Sequence, residues 1–86
     1  MSSYFIIEDG QLYNYSDEDE KQKVTHILRR DGGGEEYLKL WVSDGKVLGG
    51  RTVGEEMFTL TVTPDGDIEG EVPGGYQYNF VAGEKE

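Results

Sequence analysis

Asp67, Glu69 and Glu71 recur at every second position of Asp67-Ile68-Glu69-Gly70-Glu71. On an extended strand this spacing turns three carboxylates to one side, about 6.6 Å apart. Like charges in such a row repel unless they are solvated or paired. The row therefore suits mimicry of a phosphate run or docking on a basic groove of another protein. It suits a metal poorly. Asp65-Gly66-Asp67-Ile68-Glu69 lacks the twelve-residue calcium loop with its terminal bidentate Glu, and carboxylates strung along a strand are too far apart to share an ion. A second acidic run, Asp17-Glu18-Asp19-Glu20, is the other candidate for docking on basic protein.

Catalytic groups are scarce. The chain has no Cys and one His, His26, with no acid at ligand spacing beside it. Carboxylates are abundant enough for a glycosidase-like pair, but that chemistry needs a cleft, and short hairpins offer little depth. Gly32-Gly33-Gly34-Glu35 and Gly49-Gly50-Arg51-Thr52 lack the Gly-Lys-Ser/Thr ending of a phosphate loop. No nucleophile, base and oxyanion constellation can be assembled. The expectation is a protein that is not an enzyme, with no catalytic residue, no cofactor and no metal.

Charge is segregated along the 86 residues, whose formal net charge is −10. Residues 1–20 hold six acids and no base, residues 21–51 seven bases against four acids, and residues 52–86 eight acids and one base. The net sign opposes phosphate neutralisation, so direct nucleic-acid binding is not expected. Acidity alone also keeps a small protein dispersed, so the alternative is a small accessory subunit of a larger assembly whose charge serves only solubility.

The elements that position these residues are legible from turns. Asp9-Gly10, Asp31-Gly32-Gly33-Gly34, Asp44-Gly45 and Asp65-Gly66 each separate short apolar runs, and Asp-Gly supplies the positive φ that tight hairpins need. Between them apolar residues alternate with polar ones: Leu38, Leu40 and Val42; Phe58, Leu60 and Val62; Ile68 and Val72; Tyr78 and Phe80. Strands are predicted over 3–8, 11–15, 24–30, 36–43, 46–53, 57–63, 67–72 and 75–82. The fold class is all-β: one small acidic domain over 1–86, an antiparallel meander of about eight short strands, barrel-like or sandwich. Closure is favoured because it hides strand edges, and it would set the first and last strands side by side, merging the two acidic ends. The polar stretch 16–23 is either a solvated loop or the one short helix, with Ser16 as its cap. Gly49-Gly50 predicts a bulge or bend inside a strand.

If Leu38, Leu40 and Val42 face the core, Tyr37, Lys39 and Trp41 form an outer stripe, and aromatic residues of this kind anchor interfaces. The competing expectation buries Trp41, the only Trp. No targeting segment or transmembrane stretch is visible, which predicts a soluble cytoplasmic protein with no membrane contact. Tiny, acidic, Cys-free and strand-rich, the chain is similar in physical character to many phage or mobile-element proteins that inhibit host enzymes or defence nucleases. No motif carries this likeness and it assigns no residue. The functional expectation is a binding or inhibitor protein that docks Asp67, Glu69, Glu71, Asp17–Glu20, Tyr37 and Trp41 on a basic surface of a partner protein that handles nucleic acid.

Overall fold

The computed structural model of the chain describes residues 3–16, 21–32, 34–52, 54–74 and 77–85. They form eight strands, β1 (Ser3–Glu8), β2 (Gln11–Ser16), β3 (Gln22–Asp31), β4 (Gly34–Ser43), β5 (Lys46–Gly50), β6 (Phe58–Val62), β7 (Ile68–Glu69) and β8 (Gln77–Lys85). All pairings are antiparallel and β1 to β7 follow one another in the sheet. The result is the expected all-β, nearly closed barrel-like sheet, with no helix among the described residues.

The turns do what their residues dictate. Asp9 and Gly10 have φ of 52° and 74°, and Asp44 and Gly45 have 54° and 74°. Two successive positive φ angles give the tight turn whose twist matches a hairpin. The Thr63–Gly66 turn is built differently. Gly66 N–H donates to the Thr63 carbonyl at 2.9 Å, Thr63 N–H donates to the Asp67 carbonyl at 2.8 Å, and Gly66 alone takes positive φ, 90°.

β3 organises the sheet. Gln22 is in register with Asn14 of β2 and with Lys85 of β8, while Ile27 pairs with Leu38 of β4 and Phe80 of β8. β8 therefore follows one edge of β3, and β2 and β4 share the other edge in succession. Between Val24↔Ala82 and His26↔Val81, β3 has one residue more than β8. This bulge re-aims the strand, so Val24 and Ile27, three apart, are both buried.

The core gathers Leu12, Val24, Ile27, Leu38, Val47, Phe58, Leu60 and Val72, with Leu40, Val42, Val62, Ile68, Tyr78 and Phe80 half-buried against it. At roughly 25 cal/mol per Å² this burial is the main favourable term.

Several expectations are corrected. β8 does not adjoin β1; it pairs with β3, because the long β3–β8 ribbon carries the extended register. β1 instead reaches the C-terminal third of the chain by a Phe5 N–H to Gly66 carbonyl bond of 2.8 Å and by Phe5 against Phe80, ring centroids 5.0 Å apart. The predicted strand 67–72 shrinks to Ile68–Glu69, since Gly70 at φ 131° ends the extended run. The strand over 46–53 ends at Gly50. Gly49 and Gly50 sit in unbroken register with Leu40 and Lys39, so they mark no bulge there. A Cβ on Gly49 would meet the Phe58 ring, and one on Gly50 would lie 2.6 Å from the Glu55 carbonyl oxygen; close approach is their reason. The stretch 16–23 begins and ends as strand at Ser16 and at Gln22 and Lys23, and Asp17–Glu20 lie outside the described residues.

Candidate binding surfaces

The acidic segment 65–71 is held in place by its neighbours. Thr63 Oγ1 accepts the Asp67 N–H at 3.1 Å, and Thr61↔Glu69 and Val62↔Ile68 pair β6 with β7. Ile68 is half-buried against the core. A few residues on, the Arg29 guanidinium donates to the Pro73 carbonyl and Val72 is buried. Core contacts before and after Gly70 thus fix a short outward excursion. Asp65, Asp67, Glu69 and Glu71 are all exposed. They do not form one strand-borne row, because only Glu69 lies in β7.

Several acids elsewhere are paired. Lys21 Nζ meets Glu8 at 2.8 Å, and Arg30 meets Glu35 at 3.0 Å. Lys21 also stands 4.4 Å from the Tyr13 ring centroid. The hydrogen bond that Lys21 donates to the Glu8 carboxylate holds its ammonium above its ordinary pKa. Next to the Arg30–Glu35 pair on β3 and β4, Arg29, 8% exposed, donates to Glu36 at 2.8 Å. Arg51 chelates the same carboxylate at 2.8 and 3.0 Å. Glu56 lies 3.5 Å from Arg29 and 3.4 Å from Arg51. The fork of Arg51, assisted by Arg29, holds the Glu36 carboxyl below the usual range. Two arginines and two glutamates cancel, so the cluster is a structural clamp. By contrast, among the described residues no cation pairs with Asp65, Asp67, Glu69 or Glu71.

Sequence reasoning missed the Arg29–Glu36 pair, although a signal was present. Alternation through Leu38, extended back two residues, places Glu36 on the inward face, and alternation from Ile27 does the same for Arg29. Their register partnership confirms it. An inward charge demands a partner.

The stripe on β4 faces outward. Tyr37 is 60% exposed, Lys39 is exposed and Trp41 half-buried, while Leu38 between them is fully buried. Register carries this outer face across the sheet: Trp41 pairs with Leu48, Leu48 with Thr59, and Thr61, two residues along, with Glu69. Side chains of paired residues share a face. Tyr37, Trp41 and Glu69 therefore project from the same side of one curved sheet, with Tyr37 and Trp41 on β4 and Glu69 three strands away on β7. Lys39 and Lys46 belong to this face as well. His26 stands edge-on to Tyr37, centroids 6.3 Å apart, with Thr25 Oγ1 2.9 Å from its Nδ1. It has the surroundings of a packing residue. No group of three His, Asp or Glu side chains assembles a metal site among the described residues.

The seam where β1 meets the Thr63–Gly66 turn opens into a groove of about 390 Å³. Tyr4–Ile7 line it on the β1 side, Val62–Gly66 line it as well, and Gly45 of the β4–β5 turn completes the lining. Phe5, Ile7 and Val62 supply apolar surface already packed on the core. Tyr4, 45% exposed, stacks on Tyr15 with centroids 5.3 Å apart. Gly66 is needed here, since a Cβ on it would come within 2.5 Å of Tyr4 Cβ. Among the described residues no helix is long and apolar enough to cross a membrane. No family model, no curated protein and no solved structure matches this chain.

Proposed function

We propose that this is a non-enzymatic binding protein that docks an acidic face on a basic surface of a partner protein. The observation that carries the reading is the division of the acids into two classes. Those around Arg29 and Arg51 are consumed by internal pairs, whereas Asp65, Asp67, Glu69 and Glu71 are exposed and meet no cation among the described residues, on a segment fixed by the core. A fixed unpaired carboxylate loses little entropy when a cation meets it. Glu69 shares its face with Tyr37 and Trp41, the residue types that anchor interfaces. A partner that uses Lys and Arg to hold phosphates fits this surface. Occlusion of those side chains would inhibit it, as a phage or mobile-element inhibitor of a nucleic-acid-handling host or defence protein does.

The test is charge reversal. A partner captured with the wild-type chain is titrated against D67K/E69K/E71K and against K21E/K23E. Interfacial charge pairs are worth about 1.5 kcal/mol or more each, so the triple reversal should weaken binding at least about a hundredfold while leaving the circular dichroism spectrum unchanged. The lysine reversals should do much less. Normal binding by the triple variant at low salt refutes the reading and favours the accessory-subunit alternative.

A further inference from the structure

The groove beside β1 has a second property that side chains alone do not reveal. The Asp9-Gly10 turn closes on Glu8↔Gln11, and in a two-residue hairpin the closing pair exchanges both its hydrogen bonds. Hydrogen-bonded pairs then fall at Glu8, Ile6 and Tyr4. The N–H and C=O groups of Ser3, Phe5 and Ile7 point the other way, toward the groove. Phe5 N–H confirms the parity, because it bonds the Gly66 carbonyl across the seam. Among the described residues this is the only backbone hydrogen bond from that edge of β1 to another element. The Phe5 carbonyl and both backbone groups of Ile7 remain as an open ladder beside a groove of mixed polar and apolar lining.

An open strand edge accepts another strand. We infer that the β1 edge takes an extended segment of a partner protein as an added strand, with apolar side chains alternating with cationic ones. The apolar set fits Phe5, Ile7 and Val62 in the lining. The cationic set answers the charge around the groove: Asp65 lines it, Asp44 adjoins the lining residue Gly45, and Asp9 lies two residues past Ile7. Lys46 is the one cation beside the lining residues in sequence, and Lys21 is occupied by Glu8. The sign of the occupant's charge rests on the acidic-docking reading; the added strand rests on the backbone register.

The probe is the unmodified 86-residue chain, ¹⁵N-labelled, titrated with a capped hexapeptide alternating Lys and Val. Two derivatives carry N-methyl groups on either the Lys or the Val amides, and a fourth peptide alternates Glu and Val. In a strand only one alternate set of amides faces its neighbour. The Lys/Val peptide should slow exchange of the Ile7 amide about tenfold or more at saturation. One methylated derivative should lose at least about tenfold in affinity, the other little, and the Glu/Val peptide should not bind. If both methylated peptides bind as the parent does and shifts map to Asp67–Glu71, strand addition is overturned while acidic docking stands. Equal binding by the Glu/Val peptide at Ile7 overturns the cationic occupant and counts against acidic docking. No binding by the Lys/Val peptide overturns the inference outright.

Discussion

Gly49→Ala isolates a packing constraint that the fold imposes on the barrel interior. Gly49 is buried in β5 and pairs with Phe58 of β6, itself 7% exposed. A Cβ there would lie 2.7 Å from Cε2 and 2.9 Å from Cε1 of the Phe58 ring, and nearer still to Cζ. Gly49 has no positive φ, so the backbone itself tolerates Ala, and removing Gly should by itself stabilise by about 0.5–1 kcal/mol. Relief of the clash requires moving a buried core ring, and overpacking of this kind costs about 1–3 kcal/mol. The clash wins, for a net loss of about 1–2 kcal/mol. In a domain whose whole stability is on the order of 5 kcal/mol such a loss is easily read by urea denaturation followed through Trp41 fluorescence. Two controls give the number meaning. Gly34→Ala, where the added Cβ meets nothing within 4 Å, should change stability by less than about 0.5 kcal/mol. In a Phe58→Leu background the cost of Gly49→Ala should shrink by about 1 kcal/mol or more, as expected for directly coupled residues. If Gly49→Ala is as benign as Gly34→Ala, the ring is not seated over Gly49 and the packing reasoning is refuted.

Leu60→Ala removes a fully buried core side chain and should cost about 2–5 kcal/mol, enough to unfold much of the population at 37 °C; a neutral melt would show that β6 presents its other face inward. Protonation supplies a further check. Glu36 has a folded pKa below its ordinary value of 4.5, so its contribution is present above the unfolded pKa and is lost as pH falls through the folded one. Between pH 5 and pH 2 the melting temperature of wild type should therefore converge on that of Glu36→Gln, and parallel curves would contradict the clamp. Lys21 runs the opposite way. Its folded pKa lies above 10.5, so its pair with Glu8 should persist through neutral pH and fail only in strong base, which a Lys21→Met comparison at pH 7 and pH 12 reads directly.

The hairpins were legible because Asp-Gly is a local instruction: Asp9-Gly10 and Asp44-Gly45 carry the positive φ angles their residue types favour. The inward alternation of Leu38, Leu40, Val42, Phe58, Leu60 and Val62 was legible for the same reason, since it depends only on strand period. The topology was not. That β3 serves β2 and β4 on one edge and β8 on the other is set by long-range pairing that no short window contains. The bulge at Thr25 hid the inward pairing of Val24 with Ile27, because their spacing of three breaks the two-residue period. Gly70 was the most costly omission. As one more glycine in an alternating run it read as strand, but its φ of 131° ends β7 and splits the carboxylate row. A Cβ on Gly70 would lie 2.7 Å from Leu60 Cδ2 and 2.8 Å from the Thr59 carbonyl oxygen, a close approach visible only in three dimensions. Of the candidate site, register places Tyr37, Trp41 and Glu69 on one face, with exposed Asp67 and Glu71 flanking Glu69. The open edge of β1 left no mark in side-chain pattern, since it is a property of the backbone.

Association kinetics test the acidic-docking claim most directly. The partner captured by the wild-type chain is mixed with it in stopped flow across 20 to 500 mM salt. Electrostatic steering is screened over about 10 Å at 0.1 M, so the association rate of wild type should fall by about tenfold or more across that range, while D67K/E69K/E71K should start slow and stay nearly flat. A wild-type association rate indifferent to salt would contradict docking through the acidic face.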